Sequence, residues 1–141
     1  MAADAGIDVE VALAGTGLAA DELDDPSLQV SIDQELIAAE NIAAAYPHEA
    51  GLGVAVGERM HVNSFGIWGF AVLTSPTFRA ALDTALLHVR LSYVLAGIVV
   101  HEDENLTRLV FDLSELPTTV RPYVLERHCI VTMHFAREVV S

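Results

Sequence analysis

Residues 50–82 read AGLGVAVGERMHVNSFGIWGFAVLTSPTFRAAL, and this segment says more about the fold than any other part of the chain. It places the single tryptophan, Trp68, and two phenylalanines, Phe65 and Phe70, between closely spaced glycines. Bulky rings beside residues that allow close backbone approach make a packed corner or the wall of a small pocket. Its end carries a helix start. Ser75 is placed to cap, Pro76 fits a first helical position, and Phe78, Ala81, Leu82, Ala85, Leu86 and Val89 then recur at helical spacing. Arg79 and Asp83 pair at i,i+4 on the far side. Phe65 to Leu73 is apolar nearly all round and reads as buried.

Upstream, Gly51 to Arg59 reads as a short helix. Gly51, Gly53 and Gly57 miss the dinucleotide fingerprint by one residue and follow a proline loop rather than a strand, so they read as helix-packing glycines. Val30 to Tyr46 is helical, with Ser31 and Gln34 at capping-box spacing and Pro47 as the stop. Residues 20–27, ADELDDPS, read as an acidic loop. Residues 7–13, IDVEVAL, alternate like a strand, although Val9 and Leu13 also fall four apart as in a helix.

Downstream, Val94 to His101 is rich in β-branched residues, and Thr107 to Leu113 alternates with Leu109, Phe111 and Leu113 on one face. The polar stretch between them makes this a hairpin. Thr119 to Val140 is a long final helix with Pro122 in its first turn. From Cys129 to Ala136 it is apolar on most sides, which suits a core or a subunit interface. The sum is an α+β domain: several helices packed on a small antiparallel sheet that contains a 94–113 hairpin.

Composition narrows the function. A chain of 141 residues is one domain, and 52% apolar with 19% charged residues is a globular balance. The net charge is −13, with no lysine; residues 1–49 hold eleven of the twenty acids and no arginine. Such a chain is repelled by nucleic acid, whose phosphates need clustered cations. The acidic front is either a solvated surface or a face for a basic partner. One cysteine excludes an internal disulfide framework and fits a reducing cytoplasm. The acidic start MAADAGIDVE is no signal peptide, and Leu86 to Val100 is too short and too polar, at His88 and Arg90, for a membrane span.

Catalytic and metal sites find no support. His128 and His134 are six residues apart, about 240° around a helix, whereas helical zinc ligands sit three or four apart. His101 lies in an acidic turn, and His48 and His61 flank the glycine segment without a partner at useful spacing. Cys129 reads as a buried, inert thiol. No GxSxG elbow is present, and no catalytic residue, metal or cofactor is expected. Phe65, Trp68 and Phe70 are either plain core or the wall of an apolar ligand cavity, for which His88, Arg90 or Tyr93 would be polar anchors.

LGVAVGERM, then FGIWGFAVLTSPTFRAAL, the hairpin and LERH in the last helix together resemble the N-terminal regulatory domain of AraC-type transcriptional regulators. The subgroup it resembles is labelled arabinose-binding-like and includes ornithine-utilisation and virulence regulators. The resemblance is weak from about Ala14 and good from Gly51 onward. It favours a helix for residues 7–13. It implies a bacterial, cytoplasmic effector-sensing and dimerisation domain that acts on operator DNA only through helix-turn-helix motifs C-terminal to it. No basic recognition helices follow here, and the sequence stops at Ser141 about where a linker would begin, so residues 1–141 are expected to be the sensing domain alone. The partners implied are an unknown small-molecule effector and a second copy, with no membrane. A ligand-free dimerisation module is the alternative, and no ligand residue carries over from the family.

Overall fold

The computed structural model describes residues 6–25, 27–47 and 50–140. Expectations that rest on Pro26 or His48 lie outside the described residues. In chain order the elements are α1 (Val9–Leu13), α2 (Ile32–Ala45), α3 (Leu52–Gly57), α4 (Gly66–Leu73), α5 (Phe78–Leu87), β1 (Gly97–Glu102), β2 (Thr107–Asp112) and α6 (Arg121–Val140). Short 3-10 turns cover Ala20–Asp24, Val62–Phe65 and Val89–Leu91. The described residues form an α+β fold with one two-stranded antiparallel sheet.

Within residues 7–13 the chain is helical from Val9 to Leu13, and the reason is tertiary as well as local. Asp8 caps α1 through its side chain, which accepts from the Glu10 amide at 3.0 Å. Asn41 on α2 then donates to the Ala12 and Ala14 carbonyls, and the Tyr46 hydroxyl accepts from the Asp8 amide. Those bonds satisfy groups that a one-turn helix leaves orphaned. On α2 the capping box forms as the spacing predicts: Ser31 accepts from the Gln34 amide and Gln34 accepts from the Ser31 amide. In the acidic stretch, residues 20–25 and 27 are exposed, and Ala20–Asp24 form a 3-10 turn rather than an irregular loop.

The centre of the molecule is α6, and α3 is its closest neighbour. A Cβ on Gly53 would collide with the Tyr123 carbonyl oxygen, and one on Gly57 would stand 3.0 Å from that of Arg127. These two glycines let the helix backbones touch. Gly51 does something else: at φ 81° it holds a left-handed turn that starts α3. The face of α6 turned inward carries Tyr123, Val124, Arg127 and His128, all buried.

Three expectations need correction. The cap of α5 is Thr77, not Ser75. Thr77 has extended backbone and accepts from the Ala80 amide at 3.1 Å, while the Ser75 hydroxyl donates back to Ala71 and so ends α4. Pro76 therefore separates two helices instead of opening one. Next, α4 is buried on one side only. Trp68, Gly69 and Val72 face inward, whereas Ile67 is 80% and Phe70 66% exposed. Eight residues packed against one side leave the other side wet whatever its composition. Cys129 is exposed, because it lies with Leu125 and Met133 at i,i+4 spacing on the outer face of α6. Separately, the fold brings the His61 ring onto His134 at 5.5 Å and its Nδ1 to 3.5 Å from Glu138, contacts that sequence spacing does not show.

The hairpin has the expected alternation. Ile98 faces Phe111 and Val100 faces Leu109 across the strands, and these half-buried residues turn toward the helices. Val99 and Val110 form the outward pair. Arg79 on α5 bridges to Glu102 on β1 as well as to Asp83. The hydrogen bond from Arg79 holds the Glu102 carboxyl below its usual range.

Candidate functional site

A cavity of about 130 Å³, open to solvent beside the exposed Phe78 and Tyr93, lies between α5, α6 and the inner face of the hairpin. One water needs roughly 10–15 Å³ by the same measure, so the space is far larger than a packing defect. Its floor is an aromatic cluster. Phe65 touches Trp68, Tyr93 and Phe135 with ring centroids 5.1–5.4 Å apart, and Trp68 meets Phe135 at 5.0 Å. The Trp68 indole N–H donates to the Ala85 carbonyl at 3.2 Å, one of the carbonyls that the end of α5 leaves free. That bond fixes the ring and leaves its apolar face to the cavity. The glycines around Trp68 explain its position. Gly69 lies so close to the Val62 carbonyl that any Cβ would collide, and Gly66 takes φ 55° at the entry to α4.

Of the six residues proposed from the sequence, three line the cavity: Phe65, Trp68 and Tyr93. Phe70, His88 and Arg90 are exposed or turned outward and lie outside the lining. Phe70 is two residues from Trp68, so on a helix it points away from it. His88 and Arg90 follow the end of α5, where the chain turns through 3-10 geometry toward solvent.

The polar wall comes from α6, where sequence reasoning found only fold determinants. LERH carries it. Glu126 accepts from the Gly53 amide at 3.0 Å and so satisfies an orphan donor at the start of α3. Arg127 has a side chain only 6% exposed, with Nη1 on Glu35 at 2.6 Å and Nη2 on the Tyr93 carbonyl at 3.3 Å. Its guanidinium carbon also stands 5.5 Å from the Tyr123 ring centre. Burial alone would lower the guanidinium pKa, but the Glu35 charge and the Tyr123 contact outweigh it, and the net shift is upward. Burial likewise pushes the Tyr123 phenol up.

His128 is the reverse case. Burial first, and the Arg127 charge second, pull its imidazole down to about 3. Nε2 accepts from the Leu95 amide at 3.1 Å, and a bond to the Val124 carbonyl opposes the shift. The ring edge packs on Phe111 of β2 at 5.6 Å. A neutral imidazole thus ties α6 to the chain entering the hairpin. The i,i+4 patterns showed α6 as a core helix, but Glu35 and Arg127 are 92 residues apart, and no local pattern pairs them.

This wall can enclose and orient a molecule, but it presents no activated nucleophile. Among the described residues no three His, Cys, Asp or Glu side chains are grouped to hold a metal ion, and no helix is long and apolar enough to cross a membrane. The class that the fold and site define is a small α+β domain built around an apolar cavity rather than a polar cleft. Residues 6–141 match the family described as the arabinose-binding N-terminal domain of AraC transcription regulators, and the chain belongs to that family. It is 33% identical over 127 residues to uncharacterized HTH-type transcriptional regulators of Mycobacterium bovis and Mycobacterium tuberculosis. The match covers 90% of this chain and 37% of each relative, so the chain spans just over a third of the length of these curated relatives. No solved structure matches it.

Proposed function

We propose that this domain senses a small molecule in the α5–α6–hairpin cavity and passes its occupancy to a DNA-binding portion of the same regulator. The observation that carries this reading is the cavity itself. Its wall is assembled from α4, α5, the hairpin and α6, so a ligand would bridge elements that otherwise meet across empty space. A ligand that favours one arrangement of these elements shifts the population toward it, and differential affinity is the only means by which binding can do so. The family label and the transcriptional regulators that the chain resembles favour a regulatory role over catalysis.

Thermal-shift screening of the 141-residue chain against a broad metabolite panel tests it. A ligand at about 100 times its dissociation constant adds about 2.7 kcal/mol of stability. The same ligand is expected to change operator affinity of the full regulator. Failure of every compound to shift the melting temperature counts against sensing.

A second reading has its own observation. Leu125, Cys129 and Met133 make an exposed, largely apolar stripe along α6, which suits a homodimer seam. Sedimentation of the domain with and without Met133→Glu separates the two readings. A tight dimer that the substitution dissolves, with no ligand response, favours dimerisation alone.

A further inference from the structure

We infer that the cavity takes a neutral, mainly apolar molecule carrying at most one or two hydrogen-bonding groups, and that it rejects both sugars and carboxylates. This rests on the sensing reading above and specifies its ligand.

The argument is an inventory of what the wall can still offer. Among the described residues, Arg127 is the one charged side chain in the lining, and it is already engaged by Glu35, the Tyr93 carbonyl and the Tyr123 ring. A ligand carboxylate would have to displace the half-buried Glu35, which is 22% exposed, from its bond to the buried guanidinium, exchanging one anion for another at a desolvation cost. His128 is neutral, and its Nε2 is occupied by the Leu95 amide. The Trp68 N–H is spent on Ala85. The remaining polar side chains of the lining are Thr132 and Tyr93, each with one hydroxyl. A pentose brings four hydroxyls and a ring oxygen. Most would be buried against Val72, Leu86, Ile98 and Val131 without partners, and unpartnered burial of polar groups opposes binding. The chemistry of the wall therefore departs from the sugar named in the family's description. The size agrees with a small hydrophobe. Apolar cavities of roughly 150 Å³ accept benzene, and this one is about 130 Å³.

Amide NMR titrations of the 141-residue chain with toluene, benzyl alcohol, benzoate and L-arabinose test the inference at about pH 7. The first three share a ring and differ in the polar group alone. Toluene and benzyl alcohol are expected to shift the amides of Val131, Thr132 and Ala85, with benzoate at least tenfold weaker and arabinose silent. Thr132→Val, which preserves shape, should cost benzyl alcohol about five- to tenfold while sparing toluene; Tyr93→Phe is the second probe of the same kind. Ala85→Phe fills the space and should abolish both shifts. Tighter binding of benzoate or arabinose at these amides overturns the inference and leaves the sensing reading intact. Unchanged binding to Ala85→Phe also overturns it, because the site then lies elsewhere. Silence from all four probes also overturns the inference, and the sensing reading then stands or falls on the thermal-shift panel alone.

Discussion

Acidification should weaken this fold through one side chain, His128. Its imidazole is buried beside Arg127, accepts the Leu95 amide and titrates at about 3, against the 6.5 of an unperturbed histidine. The sign follows from linkage. Below 6.5 the unfolded chain binds a proton that the folded chain refuses until about 3, so stability falls as pH drops through that window. The slope is about 1.4 kcal/mol per pH unit once the unfolded histidine is protonated. Between pH 7 and pH 5 this amounts to about 2 kcal/mol, and by pH 4 about 3 kcal/mol. Native stability is of order 5–15 kcal/mol, so the loss is a large share of the total. The assay is urea denaturation at about pH 7, 6 and 5, read by Trp68 fluorescence. With a slope of about 1–3 kcal/mol/M, the midpoint should fall by about 1 M. His128→Gln is the control. Its amide oxygen can still accept from Leu95, and it cannot titrate, so its midpoint should change far less over the same range. Carboxylates contribute equally to both proteins and cancel in the difference. Parallel pH profiles for the two proteins would refute the reasoning, since they would mean that the histidine is solvated or protonated in the native state.

Breaking the Glu35–Arg127 pair from one side should be costly. Glu35→Gln leaves a buried guanidinium without its counter-charge and should cost about 3–5 kcal/mol, whereas Glu35→Leu with Arg127→Met should cost far less, both read by the same denaturation assay. Gly53→Ala drives a methyl into the Tyr123 carbonyl oxygen, so α3 must move off α6; a loss of about 1–3 kcal/mol is expected, and a neutral thermal melt would contradict the close approach. Cys129 should react completely with a thiol reagent in native buffer in the monomeric domain, and protection of the monomer until unfolding would contradict its exposure.

The candidate site was legible in the sequence as a region but not as a set of contacts. The glycine-flanked aromatics at 65–70 pointed to a packed corner or pocket wall, and Phe65 and Trp68 are in the cavity lining. Phe70 is not, because sequence proximity carried it into the set while helical geometry turns it to solvent. His88 and Arg90 were chosen for chemistry alone, and their direction depends on how α5 ends. Arg127 and His128 were visible only within LERH as a fold marker. Their partners are Glu35 on α2 and Leu95 before β1, and both pairings span many residues.

What the amino-acid order settles by itself is local. Periodicity marks α2, α5, α6 and the hairpin; the Ser31–Gln34 box starts α2; and the glycines at 53 and 57 announce close helix contact. Each of these depends on neighbours within a turn or two, where sterics and backbone hydrogen bonding dominate. Tertiary packing decides the rest. It holds Val9–Leu13 as a helix by supplying Asn41 and Tyr46 as partners. It also buries Arg127 beside Glu35 and keeps His128 neutral, because burial strength and charge pairing depend on which distant segments close over a residue.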